Sequence, residues 1–255
     1  MKNGVVRLGF LLLSLALCSQ AWALQDGTPF HWTGKLATDQ TVTVKTINGQ
    51  VDAEPASGGE VEISAQASGT HANDVKFQVQ QDADGVTVCE IYPNHDSCNG
   101  NSTGHHGDDH TRIEYKVRVP AENRFTARSV NGNITASNLE RQVKASTVNG
   151  TVKVSTKSWA EAESVNGSVE AMMGSAEWNG DLRVSSVNGA IRVGLPANAN
   201  ADVDVRTVNG SFSSDFPVQA NNFMSHHVHG RVGNGGRELN LSSVNGSVHL
   251  VKSGN

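Results

Sequence analysis

The stretch VKASTVNGTVKV, residues 143–154, contains the unit that decides the fold. On both sides of Asn149-Gly150, apolar residues alternate with polar ones. Alternation with a period of two is typical of a β-strand that buries one face. The unit therefore predicts two short strands joined at the Asn-Gly pair.

The same unit recurs along the chain. From Asn131 to Asn245 the copies are separated by 18, 17, 22, 21, 20 and 16 residues when a degenerate copy, Val228-His229-Gly230, is counted. Self-similarity at a period near 20 residues indicates a repeat architecture. The structural repeat pairs are Asn48-Gly49, Asn131-Gly132, Asn149-Gly150, Asn166-Gly167, Asn188-Gly189, Asn209-Gly210 and Asn245-Gly246.

The residues around each Asn are as regular as the Asn-Gly pair itself. Ser or Thr stands two positions before each Asn, an aliphatic residue stands one before, and an apolar residue stands three after. The pattern predicts that the apolar residues one before and three after the Asn point inward. Four positions after the Asn the residues are polar, with mixed charges such as Asp52, Lys153, Glu170 and Arg192, and they are expected to face water.

Two architectures fit an Asn-Gly unit, because both residues tolerate positive φ. Each pair is either the tip of a type I′ hairpin or the corner of a solenoid coil in which successive Asn side chains stack. The segments between copies vary in length and show no second regular turn. The spacing therefore favours an all-β fold built as a parallel β-solenoid, with an antiparallel β-sandwich or meander as the alternative.

The N-terminus has the features of a secretory signal peptide. Lys2 and Arg7 precede an apolar stretch from Leu8 to Cys18, and Ala21-Trp22-Ala23 supplies a small-x-small cleavage site. Residues 1–23 are therefore predicted to be removed, which places the protein in the periplasm, at the cell surface or outside the cell. A lipoprotein signal at Cys18 is the alternative, although the preceding Leu17 is larger than usual at that position.

The charge and hydropathy of the remaining chain exclude two classes of partner. Without Lys2 and Arg7 the chain has 18 basic and 25 acidic residues, a formal charge of −7. Such a chain without a basic block is a poor candidate for nucleic-acid binding. No later stretch has the 18 or so apolar residues of a membrane span, so none is expected after signal cleavage.

The chain divides into two predicted regions. Residues 24–120 form an N-terminal β region with irregular insertions, and residues 121–255 contain most of the Asn-Gly units. The first unit, Asn48-Gly49, lies in the N-terminal region, so the two regions are expected to be continuous. Cys89 and Cys98 are predicted to form a disulfide, because an exported protein meets an oxidising environment.

One insertion is dense in metal-ligating side chains. Imidazoles and carboxylates at close spacing in a Gly-rich loop can bind Zn²⁺, Cu²⁺ or Ni²⁺, whereas a solvated loop without metal is the alternative. A second histidine group, His226, His227 and His229, lies in the degenerate repeat. The candidate ligands in the insertion, residues 95–110, are His95, His105, His106, Asp108, Asp109 and His110.

Catalysis is not expected. The chain lacks a Gly-x-Ser-x-Gly elbow, a P-loop, a dinucleotide fingerprint and a His-Glu-x-x-His motif, so no catalytic residue and no cofactor are predicted. A carbohydrate-active enzyme would need clustered outward carboxylates, but Lys153 and Arg192 interrupt the row of Asp52 and Glu170. The tryptophans Trp32, Trp159 and Trp178 are interpreted as packing or end-capping residues, with stacking on sugar rings as the alternative.

Two phrases in the repeat resemble a known family. Val117-Arg118-Val119-Pro120-Ala121 precedes the Asn131 unit, and Val193-Gly194-Leu195-Pro196-Ala197 precedes the Asn209 unit. These phrases resemble the bacterial putative-adhesin family of β-strand-repeat domains of unknown function. The resemblance covers most of the chain after residue 23 and implies a right-handed β-solenoid-like domain outside the cytoplasm, without catalytic residues.

The sequence thus predicts a non-enzymatic exported envelope protein with an adhesin-like binding or scaffold domain. Its partner is expected to be an unidentified envelope protein or a glycan. A periplasmic protein that binds divalent metal through residues 95–110 is the alternative function. The last unit, residues 243–252, lies near the C-terminus with little chain left to cover it, so end-to-end self-association is also expected.

Overall fold

The computed structural model describes residues 21–26, 29–92, 111–224 and 226–253, without the side chains of residues 21–26 and 220–224. Its regular structure is almost entirely β. The one helical segment in these ranges is a 3₁₀ turn at Ala72–Asp74. Within the same ranges no helix has the length and apolar composition needed to cross a membrane.

The strands are numbered in chain order. In the first half they are β1 (Ala21–Asp26), β2 (Phe30–Gly34), β3 (Thr41–Thr46), β4 (Gly49–Pro55), β5 (Val61–Ser68), β6 (Lys76–Asp82), β7 (Gly85–Ile91), β8 (Arg112–Val119), β9 (Arg124–Asn131), β10 (Ile134–Leu139) and β11 (Val143–Asn149). In the second half they are β12 (Val152–Thr156), β13 (Ala160–Asn166), β14 (Val169–Met173), β15 (Leu182–Asn188), β16 (Ile191–Leu195), β17 (Ala201–Asn209), β18 (Phe212–Ser214), β19 (Val218–Met224), β20 (His227–Val232), β21 (Arg237–Asn245) and β22 (Val248–Lys252).

These strands form two sheets. Sheet A has the order β1-β6-β7-β3-β9-β11-β13-β15-β21-β17-β20-β19, and sheet B has the order β18-β22-β16-β14-β12-β10-β4-β8-β5-β2. Each regular coil contributes one strand to sheet A, turns at its Asn-Gly pair and contributes the next strand to sheet B. The seven coils are β3–β4, β9–β10, β11–β12, β13–β14, β15–β16, β21–β22 and β17–β18.

Neighbouring coils pair in parallel and in register. In sheet A, Asn149 of β11 lies opposite Asn131 on one side and Asn166 on the other. In sheet B, Val152 of β12 lies opposite Ile134 and Val169. The prediction of a parallel β-solenoid is therefore confirmed. The antiparallel alternative is wrong for the coils. Among the described strands, every antiparallel pair includes a strand outside the seven coils, at one of the two ends.

The core lies between the inner faces of the two sheets. The residue three after the Asn points inward, as predicted, and is at most 1% exposed in the coils of Val51, Ile134, Val152, Val169, Ile191 and Val248. Aromatic rings fill the N-terminal end, where Phe77 stacks on Phe30 at 4.7 Å and meets the Tyr115 ring edge-on at 6.0 Å between centroids. A core of small aliphatic residues keeps the two sheets close along the coils.

The spatial order of the coils differs from their order in the chain. The last coil, β21–β22, lies between β15–β16 and β17–β18, pairing in parallel with both. The expectation that residues 243–252 form the exposed end is therefore wrong. The outermost coil is β17–β18.

The degenerate copy is not a corner. Val228-His229-Gly230 lies within β20, which pairs antiparallel with β17 and with β19. Its spacing matched the repeat, but a hairpin of β19 and β20 occupies the place where a coil was expected. This hairpin extends sheet A beyond the outermost coil.

At the other end, β7 and β8 act as a further coil. Strand β7 is parallel to β3 in sheet A, and β8 is parallel to β4 in sheet B. By the register of Lys45 with Cys89, Tyr92 takes the place of the corner Asn. The His/Asp-rich insertion therefore begins at the row of corners, although residues 93–110 themselves lie outside the described ranges.

Close packing between coils explains the corner glycines. At the seven corners, neither the Asn nor the Gly has a positive φ. The interpretation that the corner uses Asn-Gly for its tolerance of positive φ is therefore wrong. A methyl group on Gly132, Gly150, Gly167 or Gly189 would instead overlap the carbonyl oxygen of the preceding coil's glycine. Glycine is required because only a hydrogen atom fits between stacked corners.

Replacing one corner glycine is expected to destabilise the fold. In Gly167→Ala the new methyl group meets the backbone of Gly150, so the coils must move apart at a cost of about 1–3 kcal/mol. Gly58→Ala is the control, because nothing lies within 4 Å of a methyl group there, and its effect should stay within about 0.5 kcal/mol. Urea unfolding of both variants measures the difference, and equal unfolding free energies would contradict the packing explanation.

Candidate functional site

The corner asparagines form one continuous hydrogen-bonded row. Each Asn Nδ2 donates to the Oδ1 of the Asn in the preceding coil over 2.7–2.8 Å. The row has a direction, because every member donates toward Asn48 and accepts from the side of Asn209. In spatial order it contains Asn48, Asn131, Asn149, Asn166, Asn188, Asn245 and Asn209.

A second row lies just inside the corners. The Ser or Thr two before each Asn is buried, and its hydroxyl donates to the corner glycine carbonyl of the preceding coil over 2.8–3.3 Å. A buried hydroxyl is tolerated when it has such a partner. The donors in this row are Ser129, Thr147, Ser164, Ser186, Ser243 and Thr207.

A third row contains the aliphatic residues one before each Asn, and these point outward. Five of the valines are 39–40% exposed and Val208 is 57% exposed. The prediction that these residues point into the core is wrong, because the buried Ser or Thr beside each valine takes the inward position. The exposed row is Val130, Val148, Val165, Val187, Val244 and Val208, preceded by the partly buried Ile47.

The valine and asparagine rows together form what we call the Val-Asn face, made of Ile47, Asn48 and the six Val-Asn pairs. Seven coils at about 4.8 Å spacing give it a length of about 29 Å. The next outward row in sheet A mixes charges with small polar residues, including Arg128, Glu163 and Arg206. The face is therefore a straight apolar line between a row of amides and a charged border.

Glu90 closes the Ser/Thr row at its first coil. Its carboxylate accepts from the Thr46 hydroxyl at 2.9 Å, from the Tyr115 hydroxyl at 2.8 Å and from the backbone N–H of Ile47. By register, Glu90 occupies in β7 the position that Thr46 occupies in β3. It thus replaces the glycine carbonyl that a preceding regular corner would have supplied.

Burial changes the acid–base behaviour of this cluster. Desolvation raises the pKa of Glu90 above its ordinary value, against the lowering effect of its hydrogen bonds from Ile47, Tyr115 and Thr46. Burial and the neighbouring Glu90 hold the pKa of Tyr115 well above its ordinary range. Tyr115 therefore remains a hydrogen-bond donor throughout the physiological pH range.

The predicted metal site lies in the insertion, and the predicted disulfide joins the insertion to β7. All six candidate ligands, from His95 to His110, lie outside the described residues, as does Cys98. Cys89 is buried in β7, and its pairing with Cys98 stays a prediction. In the part of the chain that is described, no three His, Cys, Asp or Glu side chains gather as a metal site requires.

The second histidine group lies at the opposite end of sheet A from β7. His227 Nε2 lies 2.8 Å from Asp204 Oδ2, His229 Nδ1 lies 3.8 Å from the same oxygen, and Arg206 Nε donates to Oδ1 at 2.8 Å. Burial would raise the pKa of Asp204, but its hydrogen bonds to His227 and Arg206 lower it. The contact of His227 with Asp204 thus links the side chains of β20 and β17.

The tryptophans pack as interpreted. Trp178 is buried and its indole N–H donates to the carbonyl of Glu238 at 3.0 Å. Trp32 and Trp159 pack partly buried against the core. Trp178 is therefore not available as a platform for a sugar ring, whereas Trp32 and Trp159 keep part of their surface exposed.

The outer face of sheet B holds a shallow groove of about 390 Å³ near its N-terminal end. Asp52, Glu54 and Glu62 line it together with Lys116 and Arg118. Arg118 forms an ion pair with Glu54, and Lys116 lies opposite Asp52 in the ladder. Basic side chains thus alternate with the carboxylates in the groove. Its residues do not identify a pair of carboxyl groups that could act as catalytic acid and base.

Comparison with known proteins identifies a family and two distant structures. A family model described as Toastrack DUF4097 matches residues 34–251. A crystal structure of a putative cell adhesion protein from Clostridium sporogenes is similar with 10% identity and a TM-score of 0.45, covering 88% of this chain and 100% of that one. A putative adhesin from Bacteroides fragilis is similar with 12% identity and a TM-score of 0.36, covering 89% and 97%. No curated protein matches the chain.

The buried carboxyl predicts a pH-dependent stability. Because the pKa of Glu90 is raised on folding, the folded protein holds a proton that the unfolded chain has already released, and stability falls as the pH rises through that interval. Glu90→Gln keeps an acceptor for Ile47 and Thr46 but has no charge to bury. Its stability relative to the wild type should therefore increase from acidic to neutral pH.

Urea unfolding of both proteins across that pH range measures the effect. Glu90→Ala is the comparison variant, because it leaves the donors of Thr46, Ile47 and Tyr115 without their acceptor and should cost about 1–3 kcal/mol. A stability difference between wild type and Glu90→Gln that does not change with pH would contradict the assignment.

Proposed function

The chain belongs to the Toastrack DUF4097 family, and on that premise we propose that it is a non-enzymatic envelope protein whose Val-Asn face binds a protein partner. The family match agrees with the resemblance carried by its Val-Asn-Gly phrases. The proposal assigns no catalytic role, consistent with the absence of catalytic motifs from the sequence.

The exposed valine row carries the proposal. Single exposed apolar side chains are common on protein surfaces, whereas contiguous exposed apolar patches mark interaction sites. Here six valines lie in one line with 39–57% of their surface exposed. These side chains do not enter the interior, because the neighbouring Ser or Thr and the residue three after the Asn occupy it.

The chemistry of the face favours a protein over a glycan. Sugar rings are commonly bound by stacking on aromatic side chains, and no position of the Val-Asn face is aromatic. A line of aliphatic side chains suits apolar side chains of a partner. The asparagine amides beside it, each with hydrogen-bonding capacity beyond the row, can bind the partner's polar groups.

Photo-crosslinking in the producing bacterium tests this assignment. A photoreactive residue at Val148 or Val187 should form an adduct with one protein. The same residue at Lys153 or Arg192 should not, although these exposed positions lie in the same two coils, on sheet B. With the purified partner, Val148→Ser combined with Val187→Ser should weaken binding about tenfold through lost apolar contact, with stability changed by less than about 0.5 kcal/mol.

Two results would count against a protein-binding face. Adducts that form equally at all four positions would indicate no preferred surface. Adducts at Val148 and Val187 that disappear after digestion with glycan-degrading enzymes would show that the partner is a glycan and not a protein.

Export is part of the proposal and has its own test. The signal features of residues 1–23 support cleavage after Ala23, which would leave only Leu24 to Asp26 of β1. Mass spectrometry of protein from the envelope fraction should therefore find a mature chain that begins at Leu24. An intact N-terminus in a cytoplasmic fraction would contradict export.

A further inference from the structure

The outermost coil, β17–β18, is more open than the coils inside the stack. Val208 is 57% exposed, against 39–40% for the other valines of the row. Phe212, three after Asn209, is half-buried, whereas the equivalent residue is fully buried in every other regular coil. Gly210 is exposed, whereas the glycines of the inner corners are not. The last corner thus has the surface of a coil that lacks one neighbour.

The inner coils show what that neighbour would supply. Three bonds to the next coil recur at the inner corners. The Asn Oδ1 accepts from an Asn Nδ2, the glycine carbonyl accepts from a Ser or Thr hydroxyl, and an N–H of the sheet B strand donates to a backbone carbonyl. Asn166, Gly167 and Val169, for example, bond to Asn188 Nδ2, the Ser186 hydroxyl and the Ala190 carbonyl, respectively. The same set recurs along the stack.

At the last corner the three equivalent groups have no partner among the residues the structure describes. They are Asn209 Oδ1, the Gly210 carbonyl and the Phe212 N–H. The hairpin does not reach them, because β20 pairs with β17 only from Ala201 to Arg206. The backbone N–H of Thr207 donates to the carbonyl of His226, and beyond Thr207 no described strand pairs with this edge.

The opposite end of the rows is closed. Thr46 donates to the Glu90 carboxylate, and β7 and β8 pair with β3 and β4. Among the described residues the two ends of the solenoid therefore differ, because β7 and β8 supply strand partners to the first coil and no described strand does so for residues 208–214 on the outer side of the last coil. Such an edge is a template for a further strand.

We propose that the edge formed by residues 208–214 binds an extended strand of another polypeptide that carries the Ser/Thr-Val-Asn-Gly pattern. The Asn of that strand donates its Nδ2 to Asn209 Oδ1, its Ser or Thr hydroxyl donates to the Gly210 carbonyl, and the carbonyl two after its Asn accepts from the Phe212 N–H. The apolar residue three after its Asn covers Phe212. This edge shares Val208 and Asn209 with the last coil of the Val-Asn face, but strand addition there does not depend on the function proposed for that face.

The chain itself shows that such addition does not require sequence order. Coil β21–β22 pairs with β15–β16 on one side and with β17–β18 on the other, although 36 residues separate Asn209 from Asn245. Stacking therefore depends on matching the pattern and not on a short connection. A repeat strand from a different chain can meet the same requirement.

A peptide with the sequence of residues 145–156, ASTVNGTVKVST, is the probe, titrated into the mature protein by calorimetry. We expect saturable binding that weakens about fivefold when peptide Asn149 is replaced by Ala, or when the protein is Asn209→Ala. Because both changes remove the same hydrogen bond, the two together should weaken binding no more than either alone. Asn188→Ala is the control. Asn188 Oδ1 already accepts from Asn245 of β21 inside the stack, so this variant should leave peptide binding unchanged.

Three outcomes would overturn the proposal. One is no saturable binding up to about 1 mM peptide, a level that corresponds to about −4 kcal/mol. Another is equal weakening by Asn188→Ala, which would mean that the peptide displaces β21. The third is a dimer of the protein that Asn209→Ala weakens and that the peptide cannot dissociate, which would assign the edge to a second copy. Circular dichroism and thermal unfolding confirm that both variants remain folded.

Discussion

The contact of one corner glycine with the carbonyl of the corner before it is the constraint on which the rest of this structure depends. A side chain at that point would hold the coils apart, and the parallel ladders on both sides of the corner could not form. Once the corners touch, the neighbouring positions fall into register from coil to coil. The Asn side chain then reaches the next Asn, and the Ser or Thr hydroxyl reaches a carbonyl that would otherwise be buried without that donor.

This constraint separates the residues that stabilise the fold from those that remain available for binding. The Ser or Thr, the Asn and the Gly each make a specific contact with the adjacent coil. The valine makes no such inward contact, because strand alternation turns it away from the core. The adjacent coil covers part of each inner valine, as the greater exposure of Val208 shows, and the exposed remainder of the row is available as an interaction surface.

The sequence predicts the coil architecture because its spacing and alternation are visible without any three-dimensional information. It fails at the valine row because a hydropathy pattern places Val inside and Ser outside, whereas the buried hydroxyl is stabilised by a carbonyl from a different coil. It fails at the degenerate copy around His229 because a matching interval does not distinguish a corner from a strand. The role of Glu90 depends on register: only when β7 is aligned with β3 does the carboxylate fall where a glycine carbonyl is missing.

The spatial order of the coils could not be predicted from the sequence for a related reason: units with the same corner residues can pair with one another in more than one order. The segment that leaves each unit decides the order here. The chain leaves β18 into the β19–β20 hairpin, which folds back along β17 and covers the sheet A half as far as Arg206. With β17–β18 outermost, this hairpin pairs with the exposed edge of β17, whereas no described strand pairs with the outer side of the Asn209 corner or of β18.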